Sequence, residues 1–302
     1  MSEQKLQSQT VQTTGHAWDG DLQEYNNPLP VWWVYTFYAT VIFSIVYWVV
    51  YPSWPFGKGW LGGVADITYV NSDGETKTHS WNTRALLMEK LNAASAEQKP
   101  YFDKVASMSY EQIAKDPEMN GFIQSAGRAL FSDNCAPCHG RGAAGGKGYP
   151  NLNDDEWIWG GKVEQVHETI LYGIRSTEKK TRDSAMPKFG IDKLLDEKQI
   201  NDAAEYVLSL SGKAGDKAAA DRGAKLFTEQ CASCHGEKGQ GNQELGAPSL
   251  TDAIWLYGSD KKDVFESIWT GRGGMMPAWT GRLDPVTVKS LAVYVHSLGG
   301  GK

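Results

Sequence analysis

Residues 31–51 read VWWVYTFYATVIFSIVYWVVY, apolar or weakly polar at every position, with no charge between Glu24 and Lys58. A run of this length matches one membrane-spanning helix, which needs about 20 apolar residues to cross the hydrocarbon core. Trp32 and Trp33 stand at one end, and Tyr47, Trp48, Tyr51 and Trp54 at the other, as in the aromatic belts of membrane interfaces. A buried core helix would rarely be apolar on all faces. A cleaved leader would be shorter and would end in a small-x-small site. The run therefore reads as an uncleaved anchor. Residues 1–30 are polar and close on Asn26-Asn27-Pro28-Leu29-Pro30, breaking structure just ahead of the span. Pro52-Ser53-Trp54-Pro55-Phe56-Gly57 reads as a turn-rich exit. Residues 81–125 take on a helical period through Leu86, Leu87, Leu91, Val105 and Ile113, with breaks expected at Pro100 and Pro117. We read 52–120 as a connector.

The remainder is an internal repeat. Gly127 and Phe131 match Gly223 and Phe227, Pro150 and Leu152 match Pro248 and Leu250, and Trp157 matches Trp255. Ile170 and Gly173 match Ile268 and Gly271. Ala204, Tyr206 and Val207 match Ala292, Tyr294 and Val295. Each copy predicts a leading helix, a Gly-rich loop, a middle helix (162–173 and 260–271) and a final amphipathic helix (197–211 and 285–298). Two domains of one fold, 121–212 and 217–300, follow, with residues 212–217 as the linker.

At the end of each leading helix stands the same phrase: Cys135-Ala136-Pro137-Cys138-His139 and Cys231-Ala232-Ser233-Cys234-His235. C-x-x-C-H is the attachment signature of c-type haem: the thiols add to the vinyl groups and the His becomes the proximal iron ligand. All four cysteines of the chain lie in these motifs, which leaves none for a disulfide. A redox dithiol has no need of His after the second Cys, and the copies, 96 residues apart, are too distant to be the close second pair of a zinc site. Two covalent haems are expected, each enlarging an otherwise thin apolar core.

His139 and His235 supply one axial ligand each. For the other we assign Met186, followed by Pro187, and Met276, followed by Pro277, at matching places between the middle and final helices. A thioether favours ferrous iron, and His/Met ligation raises the potential. Proline stiffens the loop that presents the sulfur. Met275 adjoins Met276, but the repeat sets it opposite Ala185, which favours Met276. Each Met is assigned to its own repeat; exchange, each thioether serving the other repeat's iron, is the alternative the spacing leaves open. The fold class is thus mainly α: one N-terminal transmembrane helix plus two tandem class-I-like cytochrome c domains.

The net charge of −6 gives no basic footprint for nucleic acid. The other histidines, His16, His79, His167 and His296, show no ligand pattern. Between Gly173 and Met186 the first repeat has a longer loop than the second, carrying Arg175, Lys179, Lys180 and Arg182. A solvated loop is its ordinary reading; a docking surface for an acidic partner or a clamp on haem propionates is the sharper one.

The anchor, the tandem order and the stretch Asp19-Gly20 through Tyr25-Asn26-Asn27-Pro28-Leu29-Pro30-Val31-Trp32-Trp33 resemble the dihaem cytochrome c P subunit (subunit III, CcoP/FixP type) of cbb3-type cytochrome c oxidases. Some members of that family carry an additional N-terminal span; this chain reads with one. The resemblance implies a bacterial inner (cytoplasmic) membrane protein with residues 1–30 cytoplasmic and the haem domains periplasmic. It implies electrons received from a donor cytochrome c and passed through a monohaem cytochrome c subunit to the haem–copper catalytic subunit, with no oxygen-reducing site in this chain. A free-standing dihaem shuttle to another terminal reductase would share every ligand. A dihaem peroxidase would need one open iron position, against the matched Met-Pro pairs.

Overall fold

The computed structural model describes residues 12–71 and 74–299; residues 1–11 of the expected cytoplasmic segment, and Gly300 at the end of the second repeat, lie outside them. The described chain divides into two compact units at Glu97/Gln98.

In the first unit, β1 (Thr13–Trp18) pairs antiparallel with β2 (Leu22–Tyr25). Pro30 then opens α1 (Val31–Val50), none of whose residues is buried. Three hydroxyls within α1 are satisfied by its own carbonyls: Thr36 donates to Trp32 at 2.9 Å, Thr40 to Phe37 at 2.7 Å and Ser44 to Thr40 at 2.8 Å. A helix that turns apolar side chains outward all round and pairs its Thr and Ser hydroxyls internally suits a lipid surround. Two hairpins follow, β3 (Pro55–Phe56) with β4 (Gly59–Trp60), and β5 (Asp66–Val70) with β6 (Thr76–Ser80). The second places Ile67 and Tyr69 on its more covered face, in strand-like alternation. These strands were not expected of the connector.

Helix α2 (Thr83–Ser107) runs through Pro100, where a break was expected. The turn around Pro100 is exposed, so water can serve the carbonyl its missing N–H leaves over. Beyond it come α3 (Tyr110–Lys115), α4 (Pro117–Asn134), α5 (Ala136–His139), α6 (Val163–Tyr172), α7 (Glu197–Leu210), α8 (Lys217–Gln230), α9 (Ala232–His235), α10 (Lys261–Thr270) and α11 (Pro285–His296). Pro117 does mark a boundary: it opens α4, and the Asp116 carboxylate accepts from the Glu118 and Met119 amides. The end of the connector is not a mere spacer, because Val105, Ile113 and Met119 are fully buried in the first core.

Two apolar cores form in the second unit, and they do not coincide with the sequence repeats. Helix α11, from the second repeat, packs on α4 and α6 of the first. Helix α7, from the first repeat, packs on α8 and α10 of the second. Phe131 meets Tyr294 at a ring distance of 5.8 Å, and Phe227 meets Tyr206 at 5.0 Å. The paired glycines explain the close crossings. A Cβ at Gly127 would lie 2.6 Å from Tyr294, and one at Gly223 would lie 2.1 Å from the Asp202 carbonyl oxygen. The repeats remain tandem, each with one Cys motif, but they trade final helices. Residues 212–217, expected to link two domains, instead form the turn of the α7–α8 hairpin: Lys213 N–H donates to the Leu208 carbonyl at 2.8 Å. Short connections favour antiparallel neighbours, which is what this one produces.

Candidate functional site

Each Cys motif caps a long helix. The Cys135 amide donates to Phe131 at 2.8 Å and the Cys231 amide to Phe227 at 2.8 Å, so the buried Phe fixes where the motif begins. One further turn, α5 or α9, carries the second Cys and the His, and ends at Gly140 or Gly236 with φ of +77° and +78°. Positive φ is cheap only for glycine, which lets the chain leave the turn sharply.

The histidines are oriented alike. His139 Nδ1 lies 3.0 Å from the Pro150 carbonyl oxygen, and His235 Nδ1 lies 3.0 Å from that of Pro248. Bonding through Nδ1 leaves Nε2 as the nitrogen free to bind a metal and fixes the ring. Burial holds both imidazoles below the ordinary His pKa, favouring the neutral form that can bind a metal. Burial also pushes the Cys135 and Cys231 thiols up to about 11, with their Cys138 and Cys234 neighbours adding to it. A redox dithiol works through a depressed thiol pKa, so these cysteines are poorly placed for exchange chemistry.

The methionines fall on opposite sites from those assigned first. Met276 packs against the core that holds Cys135 and Ala136, and Met186 against the core that holds Cys231 and Ala232. Reciprocal backbone pairs hold them there. Ile174 and Met276 exchange N–H···O bonds of 2.9 and 3.0 Å, and Met186 N–H donates to the Arg272 carbonyl at 2.8 Å. Gly173 and Gly271 permit this approach. Their φ values are +70° and +69°, and a Cβ at either would sit 2.5 Å from the carbonyl oxygen of Met276 or Met186. After each Met-Pro an aromatic enters the same core, Trp279 in the first and Phe189 in the second. Met275 is 73% exposed, so Met276 is the one placed to ligate.

The residues therefore fit a covalent haem at each site: two thiols and an oriented imidazole on one turn, with a thioether packed on the same core as the first thiol. Pro150 and Pro248, the acceptors of the two imidazoles, also line a common cavity of about 560 Å³ with Trp157 and Trp255. Asp154, Glu156 and Asp252 face it as well. Burial raises the Asp154 and Glu156 pKa values, and Asp252 raises Glu156 further.

The long loop of the first repeat spends its arginines on protein carbonyls. Arg175 donates to Gly274 at 2.6 Å and to Ser184. Arg182 donates to Trp159 at 3.2 Å and lies over the Trp159 ring. Lys179 and Lys180 stay exposed. Of the remaining histidines, His16 packs on Trp18, His79 on Tyr69 and His167 on Tyr110. Sequence reasoning found Gly173 and Gly271 as repeat partners but not their task, which is to admit the other repeat's Met strand. It also passed over Glu205 and Asp202, two buried carboxylates in amphipathic α7.

Comparison with known proteins identifies the family. Residues 10–58 match the N-terminal domain of cytochrome oxidase-cbb3, FixP. Residues 124–207 and 218–295 each match cytochrome c oxidase, cbb3-type, subunit III. The cbb3-type cytochrome c oxidase subunit FixP of Azorhizobium caulinodans is 48% identical over 291 residues, covering 96% of this chain and 94% of the relative. FixP of Bradyrhizobium sp. (strain ORS 278) is 49% identical over 301 residues, covering 96% and 95%. Subunit CcoP of Azospirillum brasilense is 44% identical over 299 residues, covering 97% and 96%. Such identity over nearly the whole length carries c-type haem binding, electron transport and a place among the subunits of an oxidase complex, and the chain belongs to the FixP/CcoP family of cbb3-type cytochrome c oxidase subunits.

Proposed function

We propose that the chain is a dihaem electron relay, anchored by α1 and carrying its two haem sites on the periplasmic side of the inner membrane. One site is Cys135, Cys138 and His139 with Met276; the other is Cys231, Cys234 and His235 with Met186. A haem bound between imidazole and thioether supplies one-electron chemistry with no position open to oxygen. The chain's own residues do the rest. Pro150 and Pro248 hold the imidazoles in one tautomer and orientation through Nδ1. Ile174 and Arg272 hold the backbone of the opposite Met, and Phe131 and Phe227 seal the cores behind the motifs. Electrons enter from a donor cytochrome c and leave through a monohaem cytochrome c subunit toward the haem–copper catalytic subunit.

The observation that supports this reading is the reciprocal pair of sites, each with a Cys-x-x-Cys-His turn whose first cysteine packs on the same core as the other repeat's methionine. The alternative, a free-standing shuttle to another reductase, uses the same sites and differs only in company. Purification from membranes in mild detergent separates the two. The expected result is two haems c per chain, co-purifying with a copper-containing, oxygen-reducing complex. Fewer than two haems would overturn the relay, and a dihaem chain that separates from any oxidase would favour the shuttle.

A further inference from the structure

The β3–β4 hairpin is an aromatic loop left uncovered by the described residues. Phe56 is 78% exposed, Trp60 71% and Val64 73%, with Trp54 and Leu61 half exposed. A contiguous exposed apolar patch marks an interaction surface. Its position is fixed by the end of α1. Val64 N–H donates to the Val49 and Val50 carbonyls at 3.1 Å each, and Ala65 N–H to Val50 at 2.9 Å. The Ser53 hydroxyl donates to the Trp48 carbonyl at 3.1 Å. Orphan carbonyls at the end of a helix need such donors, and here the hairpin's own flanks provide them. Gly63, with φ +72°, permits the approach, since a Cβ there would lie 2.5 Å from the Val50 oxygen. Trp54 packs edge-on against Trp48 at 5.0 Å, which sets the hairpin beside the last turn of α1 rather than away from it.

We propose that residues 54–64 lie in the headgroup–acyl boundary of the leaflet where α1 ends, forming a second, monotopic contact with the membrane. Three features favour lipid over a protein groove as the occupant. The patch is continuous with the span. Its exposed residues are dominated by Trp and Phe, as in interfacial segments. The only charged residue between Glu24 and Asp66 is Lys58, at the hairpin tip, where its stem can reach up to anionic headgroups. The hairpin thereby resists tilt and rotation of a single helix that would otherwise be a loose tether, and so restricts how the haem-bearing part can move over the membrane.

The test uses the full haem-loaded chain in vesicles of phosphatidylcholine and phosphatidylglycerol. Haem attachment consumes the native thiols, so Trp60→Cys, Phe56→Cys or Thr76→Cys each offers one site for an environment-sensitive fluorophore. Thr76, on β6, is the exposed control. The expected result is blue-shifted emission at positions 60 and 56, quenched several-fold more than at 76 by nitroxide-bearing lipids, at a depth of about 5–10 Å. Emission and quenching at 60 and 56 no different from 76 would overturn the proposal. So would shielding that arises only after partner subunits are added, which would make the patch a protein interface. Flotation of the same samples with the vesicles checks the span separately: a chain that does not float would refute the reading of α1, not that of the hairpin.

Discussion

The core around Cys231 is drawn from one unbroken stretch, residues 186–269, whereas the core around Cys135 is assembled from residues 105–171 and 276–298, with the whole other core as the intervening loop. The two are built from repeats of one sequence, yet one can close on local contacts and the other must wait for the last helix. Closing the longer loop costs only slightly more free energy, but non-local pairing slows assembly. Duplication has therefore produced two like sites in a nested, interdependent pair rather than two beads.

The cores also differ in charge, at matching positions. Asp202, Glu205, Arg222 and Lys261 of the second core stand where the first has Ser290, Val293, Ala126 and Val163. Arg222 grips buried Asp202 through two bonds, of 2.8 and 2.6 Å. Buried Glu205 accepts from the Gly215 amide at 2.8 Å, the Asp216 amide at 3.1 Å and Lys261 Nζ at 2.8 Å. The reason is topological. The tight α7–α8 turn points amide donors at the core, and Glu205 satisfies them. Among the described residues, no such turn adjoins Val293. The first core is instead extended by α3 and the end of α2, where Lys289 donates to the Ala106 carbonyl at 3.2 Å and to that of Met108.

The nesting is most severely tested by truncating the buried phenylalanines. Phe131→Ala and Phe227→Ala each remove a side chain that is fully buried or nearly so, and each should cost about 3–5 kcal/mol. Hydrogen exchange should show Phe227→Ala loosening both cores, and Phe131→Ala loosening α4 and α11 while α7 and α8 keep their protection. Equal loosening by either would mean that nesting has no energetic consequence.

A smaller effect sharpens the charge contrast. Lys261→Met leaves Glu205 buried with one donor fewer, and should destabilise by about 1–3 kcal/mol at pH 7, toward the low end because Lys261 is half exposed. The Lys261 hydrogen bond, followed by the Asp216 and Gly215 amides against the opposing effect of burial, holds the Glu205 pKa below its ordinary 4.5. A depressed carboxylate stabilises fully above its unfolded pKa and loses that contribution as pH falls through its folded one. The gap between wild type and variant in denaturant melts should therefore be full at neutral pH and should shrink below pH 4.5. A gap that persists unchanged in acid would remove Glu205 from the explanation.

Much of this was legible beforehand. The span, the Cys motifs and all four repeat helices past them follow from period and composition, and α6, α7, α10 and α11 fall within two residues of the expected bounds. The exchange of helices was not legible in the apolar pattern, because the two repeats present the same glycine and aromatic contacts. Gly127 and Phe131 accept a Tyr just as Gly223 and Phe227 do, and Tyr206 and Tyr294 sit in the same local pattern. Periodicity tells which face is apolar, not which of two equivalent partners covers it. The shortness of residues 212–217 was one hint, since it favours α7 and α8 as antiparallel neighbours, and the opposite charges of Asp202 and Arg222 were another. The α2 helix continued past Pro100 because exposure there makes the lost bond tolerable, and no pattern of apolar residues reports that.

The central claim is that thioethers cross between repeats, and it can be read one iron at a time. Replacing Cys135 and Cys138 by Ser leaves only the haem held by Cys231, Cys234 and His235, whose oxidised spectrum should retain the far-red sulfur-to-iron charge-transfer band. In that background Met186→Ala should abolish the band and Met276→Ala should leave it intact. Loss of the band with Met276→Ala, and its survival with Met186→Ala, would show that each repeat ligates its own iron and would contradict the account.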